Sequence, residues 1–185
     1  MFIQTEETPN PASLKFIPDG HIILEHGVAE FKNQTQAATK SPLALQLFEI
    51  SGVESVFLGR DFITITKSDK FQWPQIKTEI LATIMDFLVS GKPVVYDQKA
   101  ESVTNEDDDE IVKQIKELIE IKVRPAVAMD GGDIIYRGFE DGIVKLELRG
   151  SCSGCPSSSI TLKNGIENML KHYIPEVLGV AQVED

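Results

Sequence analysis

The spacing of apolar positions along the first half of the chain predicts both strands and helices. Short apolar runs between turn residues predict strands at 2–6, 13–17, 53–58 and 62–66, and a weaker apolar run lies at 21–24. Several of these strands follow each other after short turns. We therefore expect them to pair in one sheet.

Two helices are predicted in the same half from their boundary residues. The first begins at Pro42, because the Ser41 hydroxyl can cap it and a proline lacks only an N–H that the first turn leaves unbonded. It ends near Gly52. The second begins at Pro74, places its apolar residues on one face and ends at Gly91.

The second half shows a helix followed by two strands. An apolar stripe at 111–119 predicts the helix, which Pro125 is expected to kink or interrupt. The glycines at 130–133 predict a turn with positive φ. Alternating apolar residues then predict a hairpin of strands 134–139 and 143–149.

A last helix follows the hairpin, ends at Pro175 and precedes an edge strand at 179–183. Its apolar residues recur at helical spacing, namely Ile160, Ile166, Met169, Leu170 and Tyr173.

These elements predict an α+β protein made of two small α/β-sandwich domains joined by an acidic linker. The predicted boundaries are 1–96 for the first domain, 97–108 for the linker and 109–185 for the second domain. Acidic residues without a single base crowd the end of the linker and the start of the second domain: Glu101, Glu106, Asp107, Asp108, Asp109 and Glu110. We attribute the similar element order of the two domains to common α+β architecture, because no residue-level repeat is visible.

Charge and composition narrow the class of function. The formal net charge of -11 argues against a nucleic-acid partner, whose phosphates require a basic surface. No apolar run approaches the roughly 20 residues that cross a bilayer, so we expect no membrane partner. The N-terminus shows neither a basic, apolar leader nor an Arg-rich one, and we expect no export or organelle signal.

The chain has two cysteines, Cys152 and Cys155, between a strand end and a helix start. Two intervening residues allow both sulfurs to point at one metal centre, while Gly150 and Gly154 allow the loop to bend tightly. Pro156 suits a first helical turn, where the positive end of the helix dipole stabilises a thiolate. The small neighbouring residues predict exposed sulfurs, and the lack of further cysteines predicts an intracellular protein.

Three interpretations of the cysteine pair stay open at this level. The cysteines could be small core residues, a redox dithiol in which Cys152 attacks and Cys155 resolves, or metal ligands. No tryptophan precedes the pair and no βαβ pattern surrounds it, which argues against a thioredoxin-like site. Structural zinc and iron–sulfur clusters use four ligands, and two chains related by a twofold axis would supply them. The histidines form no convergent set in sequence: His21, His26 and His172.

Longer strings around the cysteines carry a resemblance to a known family. They include Val123-Arg124-Pro125-Ala126-Val127, Asp130-Gly131-Gly132-Asp133 and Gly150-Ser151-Cys152-Ser153-Gly154-Cys155-Pro156. This half of the chain resembles the C-terminal domain of NifU-type proteins, the Nfu iron–sulfur cluster carriers. The first domain is similar to the Nfu N-terminal domain through Thr8-Pro9-Asn10-Pro11-Ala12-Ser13-Leu14-Lys15-Phe16.

The resemblance implies that Cys152 and Cys155 are the metal and cluster ligands, and that the protein is not an enzyme. It implies a 4Fe–4S cluster shared between two chains, a homodimer when loaded, supply by upstream assembly machinery and transfer to apo iron–sulfur clients. The first domain lacks a cysteine, so we expect it to dock or modulate. We expect a bacterial cytoplasmic protein, with a processed form in the mitochondrial matrix as the alternative.

Overall fold

The computed structural model describes residues 2–96, 109–153 and 156–184, with the backbone alone at 156–159. The chain forms two compact units, Met1–Ala100 and Glu101–Asp185. Most of the predicted linker, 97–108, lies outside the described residues, so the predicted domain boundaries stay a prediction. Every helix in the described ranges is too short or too polar to cross a lipid bilayer.

The first unit is built on a five-stranded antiparallel sheet with strand order β1-β2-β5-β4-β3. Its strands are β1 Ile3–Glu7, β2 Ser13–Pro18, β3 Ala29–Phe31, β4 Val53–Leu58 and β5 Ile63–Lys67. Its helices are α1 Gln34–Lys40, α2 Pro42–Phe48 and α3 Trp73–Val89. Apolar residues of the sheet and helices form one buried core, so this unit has its own hydrophobic centre.

The second unit packs helices on one face of a three-stranded sheet with strand order β6-β7-β8. Its strands are β6 Gly132–Glu140, β7 Ile143–Gly150 and β8 Gly179–Gln182, of which β8 runs parallel to β7. Its helices are α4 Glu110–Leu118, α5 Arg124–Met129 and α6 Pro156–Tyr173, and a π-helical turn, Ile119–Val123, joins α4 to α5. A second, separate core joins these elements.

The β6–β7 hairpin brings the chain to the cysteines. Its connection, Asp141-Gly142, has positive φ at both residues (51° and 77°), as a two-residue hairpin turn of type I′ requires. The register places Val144, Leu146 and Leu148 on the core side of β7. Strand β7 therefore delivers residues 150–153 to one end of the sheet, just before α6 begins.

The predicted α+β class is confirmed, and most predicted elements are present. The run at 21–24 forms no strand; instead the N–H groups of Ile23 and Leu24 donate to the Arg60 carbonyl, at 2.7 and 3.2 Å. Strand β3 and helix α1 were not predicted. Strand β3 has only three residues, and the sequence of α1 is mostly polar, so neither shows a periodic apolar pattern. Of the apolar residues at helical spacing on α6, Ile166 and Leu170 are buried, whereas Ile160 and Tyr173 are 62% and 50% exposed.

Candidate metal centre

Cys152 lies in a tight turn at the carboxyl end of β7. Gly150 adopts a φ of +68°, and the Ser153 N–H donates to the Gly150 carbonyl at 3.1 Å. The chain thus reverses direction within four residues, and Cys152 occupies the third of them. The predicted need for a flexible glycine at 150 is confirmed by this conformation.

The Cys152 side chain points into the protein and not into solvent. It is 6% exposed and belongs to the core of the second unit. The prediction of an exposed sulfur was therefore wrong for Cys152. Small, polar neighbours do not expose a side chain when the backbone turn directs it inward.

Gly132 leaves the space that the Cys152 sulfur occupies. A β-carbon at Gly132 would lie 2.6 Å from the Cys152 Sγ and 2.8 Å from the Arg149 carbonyl oxygen. Both distances are shorter than non-bonded atoms adopt, so any side chain here would displace the sulfur or the strand. We call the space beside Gly132 the Cys152 recess.

Hydrogen bonds hold residues 150–153, which we call the cysteine turn, against residues 130–133. The Ser151 hydroxyl donates to the Asp130 carbonyl, and the Ser151 N–H donates to the Gly131 carbonyl at 3.2 Å. Gly131 adopts a φ of +80°, which confirms the predicted glycine turn at this position. The two turns are therefore one hydrogen-bonded unit beneath the thiol.

The second predicted ligand, Cys155, lies outside the described residues. It directly precedes Pro156, the first residue of α6, so the helix start agrees with the prediction for Pro156. Whether the two sulfurs converge stays a prediction. Within the described ranges, no group of three or more His, Cys, Asp or Glu side chains is placed to hold a metal ion.

The three histidines are divided between the two units. His21 and His26 belong to the first unit. His172 lies in the last turn of α6, whereas the cysteines precede its first turn. The one histidine of the second unit therefore lies at the opposite end of α6 from the cysteines, and it adds no histidine ligand to the predicted cysteine pair.

An ion pair holds Asp133, the last residue of the segment 130–133. The Arg124 Nε and Nη2 donate to the two Asp133 carboxylate oxygens, each at 2.9 Å, and Nη1 donates to Glu120 at 2.7 Å. The Asp133 side chain is only 5% exposed. The hydrogen bond from Asp133 raises the pKa of Arg124 above its ordinary value, although burial acts in the opposite direction.

A second buried carboxylate lies on the outer side of β7. Glu147 accepts from Arg149 at 2.7 Å and from Arg137 at 2.6 Å. Burial raises the pKa of Glu147, but the two arginines more than offset this, so the pKa is lower than in a free glutamate. Strand alternation places Glu147 on the face of β7 opposite Leu146 and Leu148, but it does not predict that two arginines cover the carboxylate and leave it buried.

Sequence reasoning missed the roles of Gly132, Arg124 and Asp133 around the thiol. Gly132 was assigned only to a turn, and its contact with Cys152 depends on strand pairing between Gly132 and Gly150. The available signal was a basic and an acidic residue within the strings at 123–127 and 130–133. Charge alone did not indicate that they pair.

Two family models match the chain. The model described as "Scaffold protein Nfu/NifU N terminal" matches residues 3–91, and the model described as "NifU-like domain" matches residues 115–181. The two matches fall one in each compact unit. The second match includes the cysteine turn, the recess and the ion pair.

Relatives align over the whole length of this chain. A human protein named "NFU1 iron-sulfur cluster scaffold homolog, mitochondrial" is 58% identical, and the chain covers 73% of it. "NifU-like protein 4, mitochondrial" of Arabidopsis thaliana is 54% identical and 67% covered. A solution structure of a NifU-like protein from Saccharomyces cerevisiae is 33% identical, with a TM-score of 0.48, over 53% of this chain and 87% of that one.

The family assignment rests on the two family models and on relatives that align over the whole of this chain. Their matches extend across both units and include every string that carried the resemblance in the second unit. The first family model and the human relative are both described as scaffold proteins, which supports the expectation that the chain is not an enzyme. The chain belongs to the Nfu/NifU family, with an Nfu-type N-terminal domain followed by a NifU-like domain.

Proposed function

We propose that this protein carries an iron–sulfur cluster as cargo on Cys152 and Cys155 and delivers it to apo-proteins. The family assignment and the scaffold names of the relatives support the carrier role. The observation that carries the proposal is the position of Cys152. It lies in the strand-to-helix turn of the matched NifU-like domain and in the Cys152 recess, where a residue larger than Gly132 would clash with the sulfur.

The cargo proposed is a 4Fe–4S cluster shared by two chains. Such a cluster takes four thiolates, and each chain has two cysteines. A twofold axis would bring four equivalent ligands together. Apolar side chains near the turn support an interface, since Met129 is 76% exposed beside residues 130–133 and Ile160 is exposed on α6.

The burial of Cys152 has a consequence for loading. A thiol that is 6% exposed presents little of its surface to a cluster held between two chains while it stays in the recess. Loading therefore requires the turn at 150–153 to open and present the sulfur as a thiolate. While it stays in the recess, the buried thiol is shielded from oxidation.

The partners proposed are an upstream assembly system, apo iron–sulfur clients and a second copy of this chain. The human and Arabidopsis thaliana relatives are named as mitochondrial proteins. They support the mitochondrial alternative, and they do not support the first expectation of a bacterial cytoplasm. We propose a mitochondrial location for this protein.

Anaerobic reconstitution of the full chain with ferrous iron and sulfide tests the function. We expect a brown protein with thiolate-to-iron absorbance in the visible range. A colourless protein that reduces insulin disulfides rapidly would support a dithiol oxidoreductase. A colourless protein that binds zinc tightly between two chains would support a structural site.

Serine variants test the ligands. Cys152→Ser and Cys155→Ser are each expected to lose stable iron binding, because a hydroxyl replaces the soft thiolate ligand. Cys152→Ser also places a hydroxyl in the core, and we expect a loss of about 1 kcal/mol in unfolding free energy. Thermal unfolding of the iron-free variants separates the two effects. Full iron content in either variant would contradict the ligand assignment.

A further inference from the structure

Residues 130–133 support the cysteine turn, and an ion pair of Asp133 holds these residues in place. Residues 130–133 contact the turn through the Ser151 bonds to Asp130 and Gly131 and through the recess at Gly132. Whatever fixes residues 130–133 therefore also fixes the Cys152 thiol.

Arg124 fixes this segment at its far end. Its guanidinium makes two parallel hydrogen bonds to Asp133, the residue next to Gly132. A bidentate arginine–carboxylate pair restrains direction as well as distance. Because Asp133 is nearly buried, water cannot replace the lost bonds cheaply if the arginine is removed.

The π-helical turn brings Arg124 into this position. Pro125 has no N–H to donate to the carbonyl four residues earlier. One residue earlier, the chain closes a wider ring, in which the Arg124 N–H donates to the Ile119 carbonyl five residues before it. The extra residue in the turn changes the direction in which Arg124 leaves the helix relative to a regular α-helix.

We propose that Arg124 is a positioning residue for Cys152, acting through Asp133 and Gly132 to keep the thiol in its recess until loading. The inference deepens the proposed function, on which it rests for the role of Cys152 as a ligand. The positioning role can be tested without iron, because it concerns how often the cysteine turn opens in the iron-free protein. The rival view is that the ion pair stabilises the whole unit without any special effect on the thiol.

Thiol alkylation of the iron-free full chain distinguishes these views. In a Cys155→Ser background, iodoacetamide labelling followed by mass spectrometry reports on Cys152 alone. Arg124→Gln is expected to raise the labelling rate about tenfold through local opening. Arg137→Gln is the matched control, because it also removes an arginine from a buried carboxylate of the same sheet. We expect its labelling rate to stay within about twofold of the parent.

The urea dependence of labelling identifies the kind of opening. A local opening exposes little surface, so the rate should hardly change at low urea, whereas labelling through global unfolding rises steeply. Asp133→Asn should match Arg124→Gln, and the double variant should label no faster than either single one. Arg124→Lys keeps the positive charge but not the two parallel hydrogen bonds of the guanidinium, so we expect an intermediate labelling rate. This milder variant keeps the test usable if Arg124→Gln fails to fold.

Equal labelling of the Arg124→Gln and Arg137→Gln variants, or a steep urea dependence in both, would overturn the proposal. Iron loading of the unsubstituted chain separates this outcome from a failure of the proposed function. If Cys152 is no ligand, the unsubstituted chain fails to load iron while the labelling pattern in the Cys155→Ser background still holds. If the positioning role is wrong, the unsubstituted chain loads iron and the labelling pattern is absent.

Discussion

At the residue scale, the position of the Cys152 thiol depends on the missing side chain of Gly132. Gly132→Ala would force a β-carbon against the Cys152 Sγ and the Arg149 carbonyl. We expect a loss of about 1–3 kcal/mol in unfolding free energy, as for other overpacked sites, and a displaced thiol. Thermal unfolding of the iron-free protein and iron content after reconstitution measure both effects.

Gly165→Ala is the matched control for that substitution. It lies within α6 of the same unit, and a β-carbon there meets nothing within 4 Å. Alanine is the better helix former by up to about 1 kcal/mol, so this variant should be slightly more stable and should load iron normally. A Gly132→Ala variant that behaves like Gly165→Ala would show that the recess is not needed.

At the element scale, strand β7 carries the buried carboxylate of Glu147 between two arginines. We expect acid to weaken the stabilisation that this ion-paired carboxylate provides. The folded-state pKa of Glu147 lies below the unfolded value, so its stabilising effect is complete above the unfolded pKa of about 4.3 and is lost as the pH falls through the folded value. Glu147→Gln should lower the unfolding free energy near pH 7 by on the order of 2 kcal/mol and flatten its decline in acid.

Urea unfolding by circular dichroism between about pH 7 and about pH 3 measures this effect. Fluorescence of Trp73 follows the first unit separately, because it is the single tryptophan of the chain. Glu140→Gln is the control: Lys145 lowers the pKa of Glu140 by a hydrogen bond, but that pair is exposed. Equal acid profiles for the two variants would contradict the importance of burial at Glu147.

The elements themselves were largely predictable from the sequence. Caps such as Ser41, whose hydroxyl accepts from the Ala44 N–H at 3.1 Å, and the Asp141-Gly142 turn are local rules that sequence displays directly. The burial of Cys152 and the Arg124–Asp133 pair were not predictable, because they depend on which strand pairs with which turn. A single chain gives periodicity and local chemistry but no register between distant segments.

At the scale of the whole molecule, each unit has its own core, and we expect the second to fold alone. A fragment of residues 109–185 contains the cysteine turn, the recess and the complete second core. It should show a cooperative thermal transition and load as much iron per chain as the full protein. The fragment 1–96 should fold without binding iron, since it contains no cysteine.

Circular dichroism and iron analysis of both fragments test this independence. An unfolded 109–185 fragment would show that the second unit needs the first. A folded fragment that cannot load iron, under conditions where the full chain does, would assign the first unit a direct part in loading. Either outcome would contradict two independent domains.

The central claim is that four thiolates from two chains hold one cluster, so loading and pairing form one linked equilibrium. Size-exclusion chromatography with light scattering and iron analysis, on loaded and iron-free protein at equal concentration, tests it most directly. The predicted result is a loaded dimer with about four irons per two chains, which dissociates towards monomers when a chelator removes the iron. A monomer that keeps a complete cluster would contradict the shared site.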